Sequence, residues 1–146
     1  MHFKELMNTV KWKLHLRSDP EVVFLFLTTA EGREKFWAEK APESNNEIHF
    51  IFPNGASYHS KILHLQPRRE FHIDYFNSYL KIILDPSGDG GTDLTLTNEG
   101  VGDSNYLDTY AGWVSVLLNL KAVIDYEVDL RNHKKNRTWD QNFVDN

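Results

Sequence analysis

The sequence contains no cysteine. That excludes disulfide staples, thiolate metal centres and cysteine nucleophiles, and it suits a reducing cytoplasm, the expected location. Long apolar runs are also missing. Stretches such as Val22–Leu27 fall far short of the roughly 20 residues that cross a bilayer, so no membrane span is expected. Met1–Val10 is polar and lacks the apolar centre of a secretory signal. Positive charge is scarce: 16 Lys and Arg stand against 21 Asp and Glu, a net charge of −5, which argues against general nucleic-acid binding. No internal repeat, low-complexity segment or linker interrupts the 146 residues. One domain over 1–146 is expected, with about 138–146 as a polar tail carrying Trp139 and Phe143.

Aromatic residues, in contrast, are plentiful. Nine Phe, six Tyr and four Trp make up 13% of the chain. Large rings fill cores, and they also line pockets for flat or greasy ligands.

The periodicity switches along the chain. Val10, Trp12, Leu14 and Leu16 alternate with Lys11, Lys13, His15 and Arg17, a half-buried strand with a basic outer face. Ser18-Asp19-Pro20-Glu21 offers two helix starts, a capping box or an Asp cap with Pro at the first helical position. Short helices are expected at Glu21–Thr28 and at about Ala30–Glu39. Five strands follow: Glu47–Phe52, Ser57–Gln66, Glu70–Phe76, Tyr79–Asp85 and Thr92–Glu99, separated by turns at Pro53-Asn54-Gly55, Pro67-Arg68-Arg69, Asn77-Ser78 and Pro86–Gly91. The facing of Ser57–Gln66 stays open, because its alternation is imperfect.

The last third is different. Tyr106, Tyr110, Trp113, Leu117, Leu120, Ile124 and Val128 recur every three or four residues and share one helical face. A helix over Ser104–His133, capped by Asp103 or Ser104, would be about 45 Å long. Arg131, Lys134, Lys135 and Arg137 near its end complement the helix dipole or form a docking patch for an acidic partner. The order of strand, two short helices, antiparallel strands and long helix makes an α+β fold.

These segments, in this order, resemble the START-like (Bet v 1-like, SRPBCC) superfamily, and within it the branch related to the C-terminal domain of the activator of Hsp90 ATPase. The resemblance is carried by Ser18-Asp19-Pro20-Glu21-Val22-Val23-Phe24, by Phe36-Trp37, and by Leu65-Gln66-Pro67-Arg68-Arg69-Glu70-Phe71. Gly90-Gly91-Thr92-Asp93-Leu94-Thr95-Leu96-Thr97 and Gly112-Trp113 with Leu120 complete it. The resemblance implies a helix-grip fold, a curved antiparallel sheet of about six strands around the C-terminal helix, with a cavity between them. Members of the superfamily bind lipids, sterols, hormones and polyketides, and some are enzymes. No acid–base arrangement here matches an enzymatic branch.

Candidate pocket-lining residues are the rings of Trp37, Phe50, Tyr75, Tyr110 and Trp113, together with Leu117 and Leu120. Either Tyr58 or His59 faces inward and adds a polar group. On the helical wheel Glu127 falls between the apolar stripe and its flank. There it would anchor a ligand or act as an acid, or else it pairs with Arg131 four residues on. Arg131 lies on the stripe and guards the mouth. His15, His49 and His72 fall on the polar parity, no histidine spacing is a metal signature, and Gly88-Asp89-Gly90-Gly91 lacks the Lys-Ser/Thr of a phosphate loop. Neither metal nor cofactor is expected. The leading expectation is a non-catalytic protein binding an apolar or amphipathic small molecule. The alternatives are an interaction module, as a homodimer or with a chaperone partner, and an enzyme using Glu127 or a pocket histidine.

Overall fold

A computed structural model describes residues 7–146; residues 1–6 of the polar N-terminal stretch lie outside the described residues. The chain forms β1 (Met7–Leu16), α1 (Pro20–Thr28), α2 (Ala30–Glu34), β2 (Glu43–Ser44), β3 (Glu47–Ile51), β4 (Ser57–Gln66), β5 (Glu70–Tyr75), β6 (Ser78–Pro86), β7 (Thr92–Gly102) and α3 (Tyr106–Tyr126). The strands make one antiparallel sheet in the order β1-β7-β6-β5-β4-β3-β2. It is curved and unclosed, with α3 lying along its inner face against β1 and β7. This is the helix-grip architecture expected, with seven strands in place of about six, the addition being the two-residue β2.

Strand alternation decides what faces the helix. Val10, Leu16, Phe71, Ile73, Leu80, Ile82, Leu84, Leu94 and Leu96 all point inward and are buried. Tyr58 pairs with Phe50, which is fully buried, whereas His59 pairs with His49 on the outer face. The facing of β4 is thereby settled: Tyr58, Ser60 and Ile62 point inward, until a bulge between Ile62 and His64 breaks the alternation.

The two short helices meet at Thr29. The Asp19 side chain caps α1 by accepting from Val22 N–H at 3.1 Å, with Pro20 at the first position. Thr29 ends α1 and its Oγ1 then accepts from Gly32 N–H, starting α2. The turn is tight enough that a Cβ on Gly32 would stand 2.5 Å from the Phe26 Cα. After α2 the chain turns at Lys35–Trp37, so the second helix stops short of the expected Glu39.

The long helix also differs from its expected span. It starts after a 3₁₀ turn at Asp103–Asn105 and ends at Tyr126, giving 21 residues and a length of about 31 Å. Its end is tied down from outside. The Asp125 carboxylate, with no exposed side-chain surface, accepts from the backbone N–H groups of Arg17 and Ser18 and from the Ser18 hydroxyl. The next residue but one, Glu127, takes a left-handed conformation (φ 55°) and its N–H closes the helix on Val123 O. From there helical spacing no longer describes the chain.

Candidate functional site

The site is built on a cluster of rings where the turn after α2, the sheet and α3 meet. Trp37 arrives from the turn after α2, held by its N–H to Arg33 O at 2.8 Å. Its ring centroid lies 4.7 Å from Phe50, 5.7 Å from Tyr75 and 5.9 Å from Trp113. Tyr75 comes from the end of β5 and Trp113 from the second turn of α3, with centroids 5.3 Å apart. Each buried indole has its partner: Trp37 Nε1–H donates to the Tyr75 hydroxyl at 3.2 Å, and Trp113 Nε1–H to Asn98 Oδ1 at 3.0 Å. Asn98 in turn donates to Ser78 Oγ and Tyr79 O, joining helix, β6 and β7 through one buried amide.

Above these rings the sheet and α3 diverge and leave a cavity of about 270 Å³. Its walls are the β3–β4 hairpin (Phe52, Pro53, Asn54, Ala56), Phe76 from the β5–β6 turn, and Asp108, Thr109, Gly112 and Val116 of α3. Asn54, Ala56 and Asp108 are exposed, so the cavity opens to solvent along this rim. The surface inside is mostly apolar and aromatic.

The C-terminal segment supplies the remaining wall. Trp139 and Asn146 line the cavity, and the Trp139 ring lies against Gly112. A capping box between Thr138 and Gln141 shapes the turn. Asn54 Nδ2–H donates to Asp140 Oδ2 at 3.0 Å, and Asn132 ties back to Asp145 through both its backbone and its side chain. The segment read from sequence as a polar tail is therefore part of the site. Two aromatic residues in an otherwise polar stretch were the available signal.

Arg131 sits at the junction of this segment with the core and is 8% exposed. Its guanidinium donates to Ala38 O, to Glu34 O and, in bidentate fashion, to Asp129. Burial alone would raise the Asp129 carboxyl, but hydrogen bonds from Arg131 and His133 bring it down to about 2. His133 bridges Asp129 and Glu39, each at 2.7 Å; against the effect of burial, those two acids hold its pKa above the ordinary value. The cation at the cavity wall is thus neutralised and its donors are engaged.

Of the residues singled out from sequence, Trp37, Tyr75, Trp113 and Arg131 line the cavity. Phe50, Leu117 and Leu120 lie in the core beneath it. Tyr58 points inward, but its hydroxyl donates to Asp74 Oδ2 at 2.7 Å and its ring stacks on Phe76, behind the wall. His59 is on the outer face, stacked on His49 and 3.0 Å from Glu47. Tyr110 packs on Trp12 at a centroid distance of 4.7 Å, on the β1 side of the helix. Glu127, expected to point toward the sheet or its mouth, is the exposed residue that ends α3, because the chain leaves helical geometry there. His72, expected on the solvent side, is 8% exposed, enclosed by Glu70, Tyr79 and His64, and burial lowers its pKa. Among the described residues, no three His, Asp or Glu side chains group as a metal site, and no helix is long and apolar enough to cross a membrane.

A family model described as activator of Hsp90 ATPase homolog 1-like protein matches residues 17–125. Among solved structures, a protein of Staphylococcus saprophyticus is 19% identical, with a TM-score of 0.74 over 85% of this chain and 96% of its own. The Aha1 dimer from Colwellia psychrerythraea is 18% identical, with a TM-score of 0.73 over 82% and 97%. CalU16 from Micromonospora echinospora is 18% identical, with a TM-score of 0.66 over 83% of each chain. At these identities the likeness is one of fold. No curated protein matches the chain significantly.

Proposed function

The chain belongs to the activator of Hsp90 ATPase homolog 1-like family, and from that premise we propose that it binds a small apolar or amphipathic molecule between the sheet and α3. The observation that carries this reading is the cavity of about 270 Å³, bounded by Trp37, Phe76, Trp113 and Trp139. Protein interiors are packed to crystal density, with few voids larger than a water molecule. Here four large rings surround space instead of filling it. The volume lies near the lower end of small-molecule pockets, about 300 to 1,000 Å³, and fits a molecule of one or two rings. Arg131 is neutralised by Asp129, which favours an uncharged ligand. Neither Glu127, which is exposed, nor a histidine is among the cavity-lining residues, so the acids and bases named for the enzymatic alternative do not support it.

The test is native mass spectrometry of freshly purified protein against the same sample denatured, followed by titration with a hydrophobic probe. A mass excess lost on denaturing, or saturable probe binding abolished by Thr109→Trp at the rim, supports the reading. A clean mass together with no saturable binding overturns it.

A second reading, self-association, draws on a different surface. Leu107, Val114 and Leu118 form an exposed apolar stripe on the side of α3 turned away from the sheet, and the Aha1 of Colwellia psychrerythraea is a dimer. Light scattering that gives a dimer, made monomeric by Leu118→Glu, would support it, and a strict monomer would remove it. A chaperone partner is tested by an Hsp90 ATPase assay with the purified chain.

A further inference from the structure

We infer that the cavity selects ligands carrying a neutral hydrogen-bond acceptor oxygen, of carbonyl or ether type, and that the Tyr75 hydroxyl is the donor that reads it. The inference rests on the cavity being a ligand site, and adds to that reading which chemistry the site prefers.

The argument is an accounting of polar groups around the cavity. A phenol has one donor hydrogen and two acceptor lone pairs. The Tyr75 oxygen accepts from Trp37 Nε1–H. Its own hydrogen has no acceptor within hydrogen-bond distance among the described residues. Burial pushes the Tyr75 phenol well above its usual pKa, with the Trp37 bond acting the other way, so the group keeps its proton and stays a donor. A buried donor left unpaired costs about 1–3 kcal/mol, which a ligand oxygen would recover.

The other polar groups are occupied. Trp113 is bonded to Asn98, Arg131 to Asp129 and two carbonyls, and Asn54 to Asp140 and to Ala56 N–H. Asp108 and Thr109 stand on the rim. The interior therefore presents the Tyr75 hydroxyl as its free donor and lacks a free cation. It would take an aryl ketone, an aldehyde or a cyclic ether, and would discriminate against the hydrocarbon of the same shape.

The test compares 2-acetylnaphthalene with 2-isopropenylnaphthalene, which replaces the carbonyl oxygen by CH₂, using isothermal titration calorimetry on the full chain. Tyr75→Phe should lower the ketone-to-alkene affinity ratio by about fivefold to tenfold, the equivalent of one hydrogen bond. His59→Gln, on the outer face of the sheet and outside the cavity lining, should retain the wild-type ratio. Independently of any variant, a ketone labelled with ¹³C at the carbonyl should show a downfield shift on binding relative to its value in hexane. A ratio indifferent to Tyr75→Phe, or a bound carbonyl shift equal to that in hexane, overturns the acceptor assignment while leaving the cavity reading intact. Binding of neither probe to the wild type overturns both.

Discussion

Gly112 stands in the interior of α3, where glycine costs about 1 kcal/mol relative to alanine because it loses the most backbone freedom on folding. Nothing in its backbone requires glycine, since its φ is not among the positive ones. A Cβ built there meets only the Trp139 ring, at 3.5 and 3.7 Å, which is ordinary van der Waals contact. Gly112→Ala should therefore stabilise the fold by about 1 kcal/mol, from helix propensity with a small packing gain against the indole. For a chain of this size that raises Tm by about 2–5 °C. Urea denaturation followed by circular dichroism reads the same change as a higher midpoint at unchanged slope. The new methyl also narrows the cavity, so probe affinity should stay level or fall while stability rises. Gly112→Leu extends the series, with a larger side chain in the mouth and binding lost. Were Gly112→Ala destabilised by 1 kcal/mol or more, the C-terminal segment could not lie where Trp139 places it. The wall it forms would then be refuted along with the cavity's shape.

Four further outcomes are expected. Trp139→Ala should weaken probe binding about tenfold while costing less than about 1 kcal/mol of stability, since the ring is 41% exposed and reports on the site more than on the core; equal binding would remove Trp139 from the site. Gly32→Ala should destabilise by about 2–4 kcal/mol, because its Cβ would press on the Phe26 backbone, and thermal melts that overlay the wild type would contradict the tight α1–α2 turn. Trp113→Phe leaves Asn98 Oδ1 without its donor at a site where Asn98 is 1% exposed, and should cost about 1–3 kcal/mol by urea titration. His133 has a raised folded pKa, so its stabilising contribution is complete below the unfolded value of about 6.5 and is lost as pH rises through the folded value. Being 40% exposed, it is worth a fraction of a kcal/mol. The difference in urea midpoint between wild type and His133→Gln should shrink from pH 5.5 to pH 8.5, and a difference that grows would reverse the assignment.

Alternation and turn chemistry made most of the fold legible. β4 begins at Ser57 and ends at Gln66, as the spacing of turns between Gly55 and Pro67 predicts, and Asp19-Pro20 caps α1. These are local signals, written in neighbouring residues. What sequence could not locate was set by distant ones. Periodicity carried α3 through Glu127 and Val128, but Asp125 is recruited by Arg17 and Ser18 at the far end of the chain, and no local residue announces that. The site was legible in the same measure. Tyr75 and Trp113 belong to strong periodic elements, and their faces could be read, whereas Trp37 lies in the turn after α2. Phe52, Phe76 and Trp139 belong to turns and to the C-terminal segment, where side-chain direction follows from tertiary contact alone. Arg131 was placed near the mouth by a helical wheel that no longer applies at that position; it reaches the cavity through its bonds to Ala38 and Glu34.

The ladder between β1 and β7 joins the first strand to the last, pairing Met7 with Gly102 and Leu16 with Thr92, and the tie from Arg17 to Asp125 spans 108 residues. Hairpins between neighbouring strands close quickly, but this pairing has to bring together ends separated by the entire meander, and its loop entropy is lost before its contacts form. On a ribosome β1 emerges early and waits, with Trp12 and Leu14 uncovered and its edge unpaired, until β7 and the helix behind it have been made. Its Lys11, Lys13 and His15, which face solvent in the finished sheet, put charge and polarity on that waiting edge and oppose its pairing with another nascent copy. The basic alternation of the first strand thus guards the interval between synthesis and closure, when the aromatic interior has not yet been enclosed.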